Sequence, residues 1–191
     1  MPRTYSSFLL IFILFILQVP PVAAAEKKEP YFENVILTTS ETSLLLFGGL
    51  KYTFSEDMLR GLHSGIPIQY SFFVEVNRAR RYWTDEQVAS VGFTHTLRYD
   101  TLKETYRVEI DEGTGPKIIA CQTLTEAQKV MNEFNGVNIV KLSGLVPDDS
   151  YTLRVRAELY KKNLPMGLHH VVPFVSFWDI ETSWYSVDFN Y

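Results

Sequence analysis

The densest set of chemistry-bearing side chains in this sequence is Arg78, Arg80, Arg81, Tyr82 and Trp83. A guanidinium is a planar fork that meets two carboxylate or phosphate oxygens at once. Tyrosine and tryptophan add broad amphipathic contact area, so the set suits an acidic group or a protein surface. The same residues also fit a charged strand end that repels edge-to-edge pairing, partly neutralised by Asp85 and Glu86. A second set lies near the C-terminus, where Asp179 and Glu181 stand close to Trp178 and Trp184. Paired acids beside aromatic rings suit cell-wall carbohydrate, although acids two apart also serve as ordinary turn residues.

Other chemistry finds little support. His169 and His170 are adjacent, and neighbours on a strand point to opposite faces, with no cysteine or carboxylate at ligand spacing. No metal and no cofactor is expected. His95 falls on an apolar strand face and reads as a hydrogen-bonded core histidine, whereas His63 lies near a helix C-terminus, where a cation is favoured. There is no Gly-x-Ser-x-Gly, phosphate loop or dinucleotide fingerprint. Cys121, the single cysteine, ends the apolar run from Ile118 and reads as a buried, inert thiol. With no internal disulfide possible, burial of apolar side chains must hold the fold.

The elements that position these residues follow from a two-residue period. Ile68, Tyr70, Phe72, Val74 and Val76 share one face, as do Val91, Phe93, His95, Leu97 and Tyr99, and then Tyr106, Val108 and Ile110. That period excludes helix and predicts three consecutive antiparallel strands buried on one side. Further strands are expected at Val35–Leu37, Leu44–Phe47, the Ile118 run, Ile139–Leu142, Tyr151–Leu159, Val171–Phe177 (demoted to an edge or bulge by Pro173) and Tyr185–Tyr191. Gly48-Gly49 predicts a bulge or a close backbone approach.

Two short helices are expected between them. Ser55 caps the first, with Met58, Leu59 and Leu62 inward, and Gly65 and Pro67 end it. Thr123 and Glu126 have capping-box spacing for the second, whose stripe is Leu124, Ala127, Val130, Met131 and Phe134, with Asn135-Gly136 as the stop. The expectation is a mainly β, antiparallel β-sandwich-like domain with two short packed helices.

The first residues read as an address. Arg3 precedes the apolar run Phe8–Leu17, Pro20-Pro21 breaks it, and Ala23-Ala24-Ala25 offers a cleavage site. The run is shorter than the roughly 20 residues a spanning helix needs. The expectation is a cleavable signal peptide over 1–25, a single domain over 26–191 and a periplasmic protein, with an uncleaved anchor as the alternative. The net charge of −4 lacks the basic excess that nucleic acid demands.

Leu62–Pro67 (LHSGIP), Leu97–Leu102 (LRYDTL) with Thr105–Val108 (TYRV), Tyr151–Glu158 (YTLRVRAE), Leu164-Pro165, and Trp178 with Trp184 occur in that order over nearly all of the chain beyond the leader. In this the sequence resembles an uncharacterised family of exported bacterial proteins, classed only as a domain of unknown function. The resemblance implies a signal peptide, no assigned catalytic residues and frequent encoding near nitrogen-regulation-type sensor kinases. The functional expectation is a non-enzymatic binding or accessory domain whose partner is an envelope protein, with strand-edge pairing as a second mode. The alternative is an envelope enzyme or binder acting on cell-wall carbohydrate.

Overall fold

The computed structural model describes residues 29–159 and 181–191. The leader, His169, His170, the run Val171–Phe177, Trp178 and Asp179 lie outside the described residues. The described elements are β1 (Tyr31–Thr39), β2 (Ser43–Lys51), α1 (Glu56–His63), β3 (Ile68–Arg78), β4 (Glu86–Asp100), β5 (Thr105–Asp111), β6 (Lys117–Cys121), α2 (Leu124–Asn132), β7 (Glu133–Lys141), a 3-10 turn (Leu142–Gly144), β8 (Ser150–Leu159) and β9 (Tyr185–Asn190).

The strands form two antiparallel sheets, one in the order β1-β2-β7 and one in the order β6-β5-β4-β3-β8-β9. The described residues are therefore mainly β with two short helices, and among them the sheets do not close into a barrel. The period-2 reading carries directly into β3, where Ile68, Tyr70, Phe72, Val74 and Val76 are all buried. Across the ladder Phe72 faces Phe93, and the two rings stack 4.6 Å apart. Tyr70 is buried with them, and its hydroxyl donates to the Thr53 carbonyl at 2.6 Å. Desolvation raises this phenol well above its ordinary pKa.

Both helices start as their caps predict. The Ser55 hydroxyl accepts from the Met58 N–H, and Met58 and Leu62 are buried beneath α1. Gly65 takes the left-handed conformation that closes the turn, at φ +88. In α2 the Thr123 hydroxyl accepts from the Glu126 N–H at 3.2 Å, whereas the Glu126 carboxylate accepts from the Gln122 N–H at 3.0 Å and not from the Thr123 N–H of a reciprocal capping box. Ala127 and Met131 form its buried stripe.

The helix ends earlier than the sequence stripe predicts. Glu133 is already extended, and Phe134 belongs to β7, paired with Gly48 of β2. A Cβ on Gly48 would lie 2.8 Å from the Phe134 ring, so the expected close approach at this glycine is the seat of that ring. Asn135-Gly136, read as a helix stop, instead sits in the strand. Gly136 supplies a left-handed residue (φ +85) where the register with β2 shifts. Leu142, expected in a strand, opens the 3-10 turn.

β9 forms an outer strand pinned at its end. The Asp148 N–H donates to the Tyr191 carbonyl and the Tyr191 N–H to the Asp149 carbonyl, while Phe189 stacks on Tyr151 at 5.4 Å. Deleting residues 189–191 removes these contacts together. The expected result is a loss of about 1–3 kcal/mol, since a half-buried ring, these two backbone bonds, the Ser150–Asn190 hydrogen bond and the last pairing with β8 go. Urea unfolding of the truncated and intact chains measures it.

Candidate interaction site

The arginine-aromatic set occupies the connection between β3 and β4. The alternation that marks β3 ends at Arg78, and residues 79–85 form the turn. Its base is tied down: the Ala79 N–H donates to the Ser150 carbonyl at 2.9 Å and the Arg80 N–H to Asp85 at 3.4 Å.

The three arginines divide into two kinds. Arg78 donates to Glu86 at 2.5 Å and lies 3.5 Å from Asp149. Arg80 forms an ion pair with the same Glu86 carboxylate. Two of the three guanidinium groups are thus engaged by carboxylates of the chain itself, whereas Arg81 makes no ion pair among the described residues. Tyr82 and Trp83 stand beside it, 84% and 79% exposed. What remains for a partner is one cation and two aromatic rings on a braced stem. Tryptophan, tyrosine and arginine are the three side chains most enriched at binding hot spots.

The brace depends on pH in a defined direction. Hydrogen bonds from Arg80 and then Arg78 hold the Glu86 carboxyl below its ordinary value of 4.5. The folded turn therefore favours the ionised form. Its contribution is complete above the ordinary value and is lost as pH falls through the lowered one. In an NMR titration the Nε–H resonances of Arg78 and Arg80 are expected to move together with a midpoint below 4.5. Glu86→Gln is expected to abolish that transition, and a midpoint at or above the ordinary value would contradict the brace.

The second predicted set is placed in part. Trp178 and Asp179 lie outside the described residues. Glu181 and Trp184 are brought together by Arg156, which sequence reading passed over. One Arg156 nitrogen lies 3.1 Å from Glu181 and another 2.6 Å from Glu158. The Arg156 guanidinium sits 4.9 Å from the Trp184 ring centre and 5.6 Å from that of Phe73, and Arg154 sits over Trp184 at 4.7 Å. This row crosses the outer face of the six-stranded sheet, with Phe73 and Arg156 directly opposed in register. Such stacked cation and ring pairs are worth about 0.5–2 kcal/mol each. Besides Trp184, the sequence signal for the row was Phe73, an aromatic residue at a polar position of β3.

The two histidines among the described residues are accounted for within the fold. His95 is completely buried, with Nδ1 3.0 Å from the Met131 carbonyl and Nε2 3.2 Å from Glu112. A carbonyl only accepts, so it is the Nδ1–H that donates to Met131. His63, the last residue of α1, meets the Tyr106 hydroxyl at 2.8 Å. Cys121 is buried, and desolvation followed by the Glu126 charge raises its thiol pKa, which disfavours the nucleophilic form. Among the described residues no three histidine, cysteine, aspartate or glutamate side chains gather where they could hold a metal ion.

No curated protein and no solved structure matches the chain. The model of one family, described as a domain of unknown function (DUF4390), matches residues 27–188, which takes in both sheets, both helices and the arginine-aromatic turn. The chain belongs to the DUF4390 family.

Proposed function

We propose that this protein is an exported, non-catalytic binding or accessory domain that docks an envelope protein through Arg81, Tyr82 and Trp83. The observation that carries the reading is the exposure of both rings at the end of a stem fixed by the Arg78–Glu86–Arg80 ion pairs. Holding large aromatic side chains out in water on a rigid turn gains nothing for folding. It lowers the ordering cost of binding, because the stem is set before the partner arrives. The leader supports release into the periplasm after Ala25, with retention by an uncleaved leader as the alternative. The family resemblance to proteins encoded near sensor kinases supports a link to envelope sensing. The carbohydrate reading has less behind it, since the Glu181 carboxylate it needs is ion-paired with Arg156.

The test separates folding from capture. An Arg81→Ala/Tyr82→Ala/Trp83→Ala chain is expected to melt like the wild type, because none of the three side chains packs in the core. It is expected to lose its partner, each aromatic truncation weakening capture by about 2 kcal/mol or more, roughly 30-fold. Co-purification from the cell envelope, with the mature N-terminus determined on the same sample, reads both docking and export. Undiminished capture by the triple variant would remove the tip from the function.

A further inference from the structure

An outer strand exposes a row of unpaired backbone donors and acceptors, and proteins blunt such rows with bulges, charges or irregular backbone. Four described strands lie at sheet margins. β1 shifts register between Glu33 and Ile36, with Asn34 left-handed at φ 52. β7 shifts register twice and carries left-handed Gly136. β9 turns Ser186, Asp188 and Asn190 outward, and Asp188 and Asn190 accept hydrogen bonds from Thr152 and Ser150. β6 has no bulge and no left-handed residue, and Lys117 at its start is its one charge. It runs from Lys117 to Cys121 in unbroken register with β5, bears no charge after Lys117, and leaves Ile118 67% exposed. Pro116 before it and the capped start of α2 after it confine the open edge to these five residues.

We propose that β6 pairs antiparallel with β6 of a second copy of this chain, about a two-fold axis at Ile119. The edge is complementary to itself. Rotation about Ile119 sets Ile118 against the second copy's Ala120, and Ile119 against the second copy's Ile119, so apolar meets apolar on both faces. The charges match as well. Lys117, on the same strand face as Ile119 and Cys121, makes no ion pair among the described residues. The two-fold places it opposite the second copy's Cys121, and Glu126 stands beside that thiol, accepting from the Gln122 N–H and acting on the thiol by its charge. Each Lys117 therefore meets a Glu126 carboxylate across the axis, twice in the dimer, as an isologous contact requires. The two six-stranded sheets become one continuous sheet, and the short contact predicts weak association.

Sedimentation velocity of the full chain as cells produce it, from about 1 to about 100 µM, tests this in the range where weak homodimers dissociate. Wild-type chain is expected to shift from monomer to dimer across that range. Ile118→Lys replaces an exposed side chain and spares the core, and it is expected to leave only monomer. Lys117→Glu, which sets like charges opposite each other, is expected to weaken the dimer at least tenfold. Leu102→Lys adds the same charge at a residue 95% exposed between β4 and β5, and it is expected to dimerise like wild type. Wild-type monomer at the highest concentration, or a dimer that survives Ile118→Lys, would overturn the proposal. A dimer indifferent to Lys117→Glu would overturn the antiparallel register.

Discussion

Phe134→Ala lowers the free energy of unfolding by about 3–5 kcal/mol, a large share of the roughly 5–15 kcal/mol that holds a domain of this size. The side chain is completely buried and meets three rings edge-on: Phe32 at 6.3 Å, Phe72 at 5.6 Å and Phe93 at 5.9 Å. Phe32 belongs to the smaller sheet and Phe72 and Phe93 to the larger, so one ring joins the two layers. Its seat cannot collapse easily, because backbone on the β2 side is already in contact through Gly48. Urea unfolding is expected to show a lower midpoint with an unchanged slope. A loss under about 1 kcal/mol would mean that the sheets are joined elsewhere.

His95→Ala is the second large effect, about 2–5 kcal/mol, and its cause is partly polar. The substitution opens a cavity beside Phe72 and Phe93, whose ring centres lie 5.1 and 5.7 Å from the imidazole. It also strips the Met131 carbonyl and the Glu112 carboxylate of their shared partner. The Met131 carbonyl lies at the end of α2, next to the switch into β7, so the damage is expected to spread to that junction. Hydrogen exchange read residue by residue distinguishes this from a simple cavity: the amides of Asn132–Asn135 are expected to lose protection first. His95→Phe, which refills the volume but restores neither hydrogen bond, is expected to recover only part of the stability. Full recovery by phenylalanine would show that the polar contacts contribute nothing.

Much of the fold was legible because its largest sheet is buried on one face. Alternation along Ile68–Val76, Val91–Tyr99 and Tyr151–Leu159 is a local property and needs no knowledge of partners. The same holds for the caps at Ser55 and Thr123, where a side chain and a backbone N–H three residues on settle the matter. The end of α2 was not legible. Leu124, Ala127, Val130, Met131 and Phe134 keep helical spacing throughout, and only the pairing of Phe134 with Gly48, far away in sequence, draws that residue into a strand. Tertiary pairing outweighed a local helical preference there.

The candidate site shows the same division. The composition of the tip was visible, yet the distinction between Arg81 and its neighbours was not. It depends on which carboxylates fold back, and the second partner of Arg78, Asp149, is 71 residues away. The Phe73–Arg156–Trp184 row was hidden for a related reason, since it exists only once β3, β8 and β9 are set in register. Charged residues on an exposed strand face give no sign of whether they are solvated or stacked.

The central claim is that the tip of the β3–β4 turn is a docking surface. In-cell photocrosslinking from position 83, with Trp83 replaced by a photoreactive amino acid, tests it most directly when position 102 serves as the exposed control at the opposite end of β4. The account predicts a discrete protein adduct from position 83 that disappears when Arg81 and Tyr82 are alanine, and none from position 102. An equal background at both positions would contradict it.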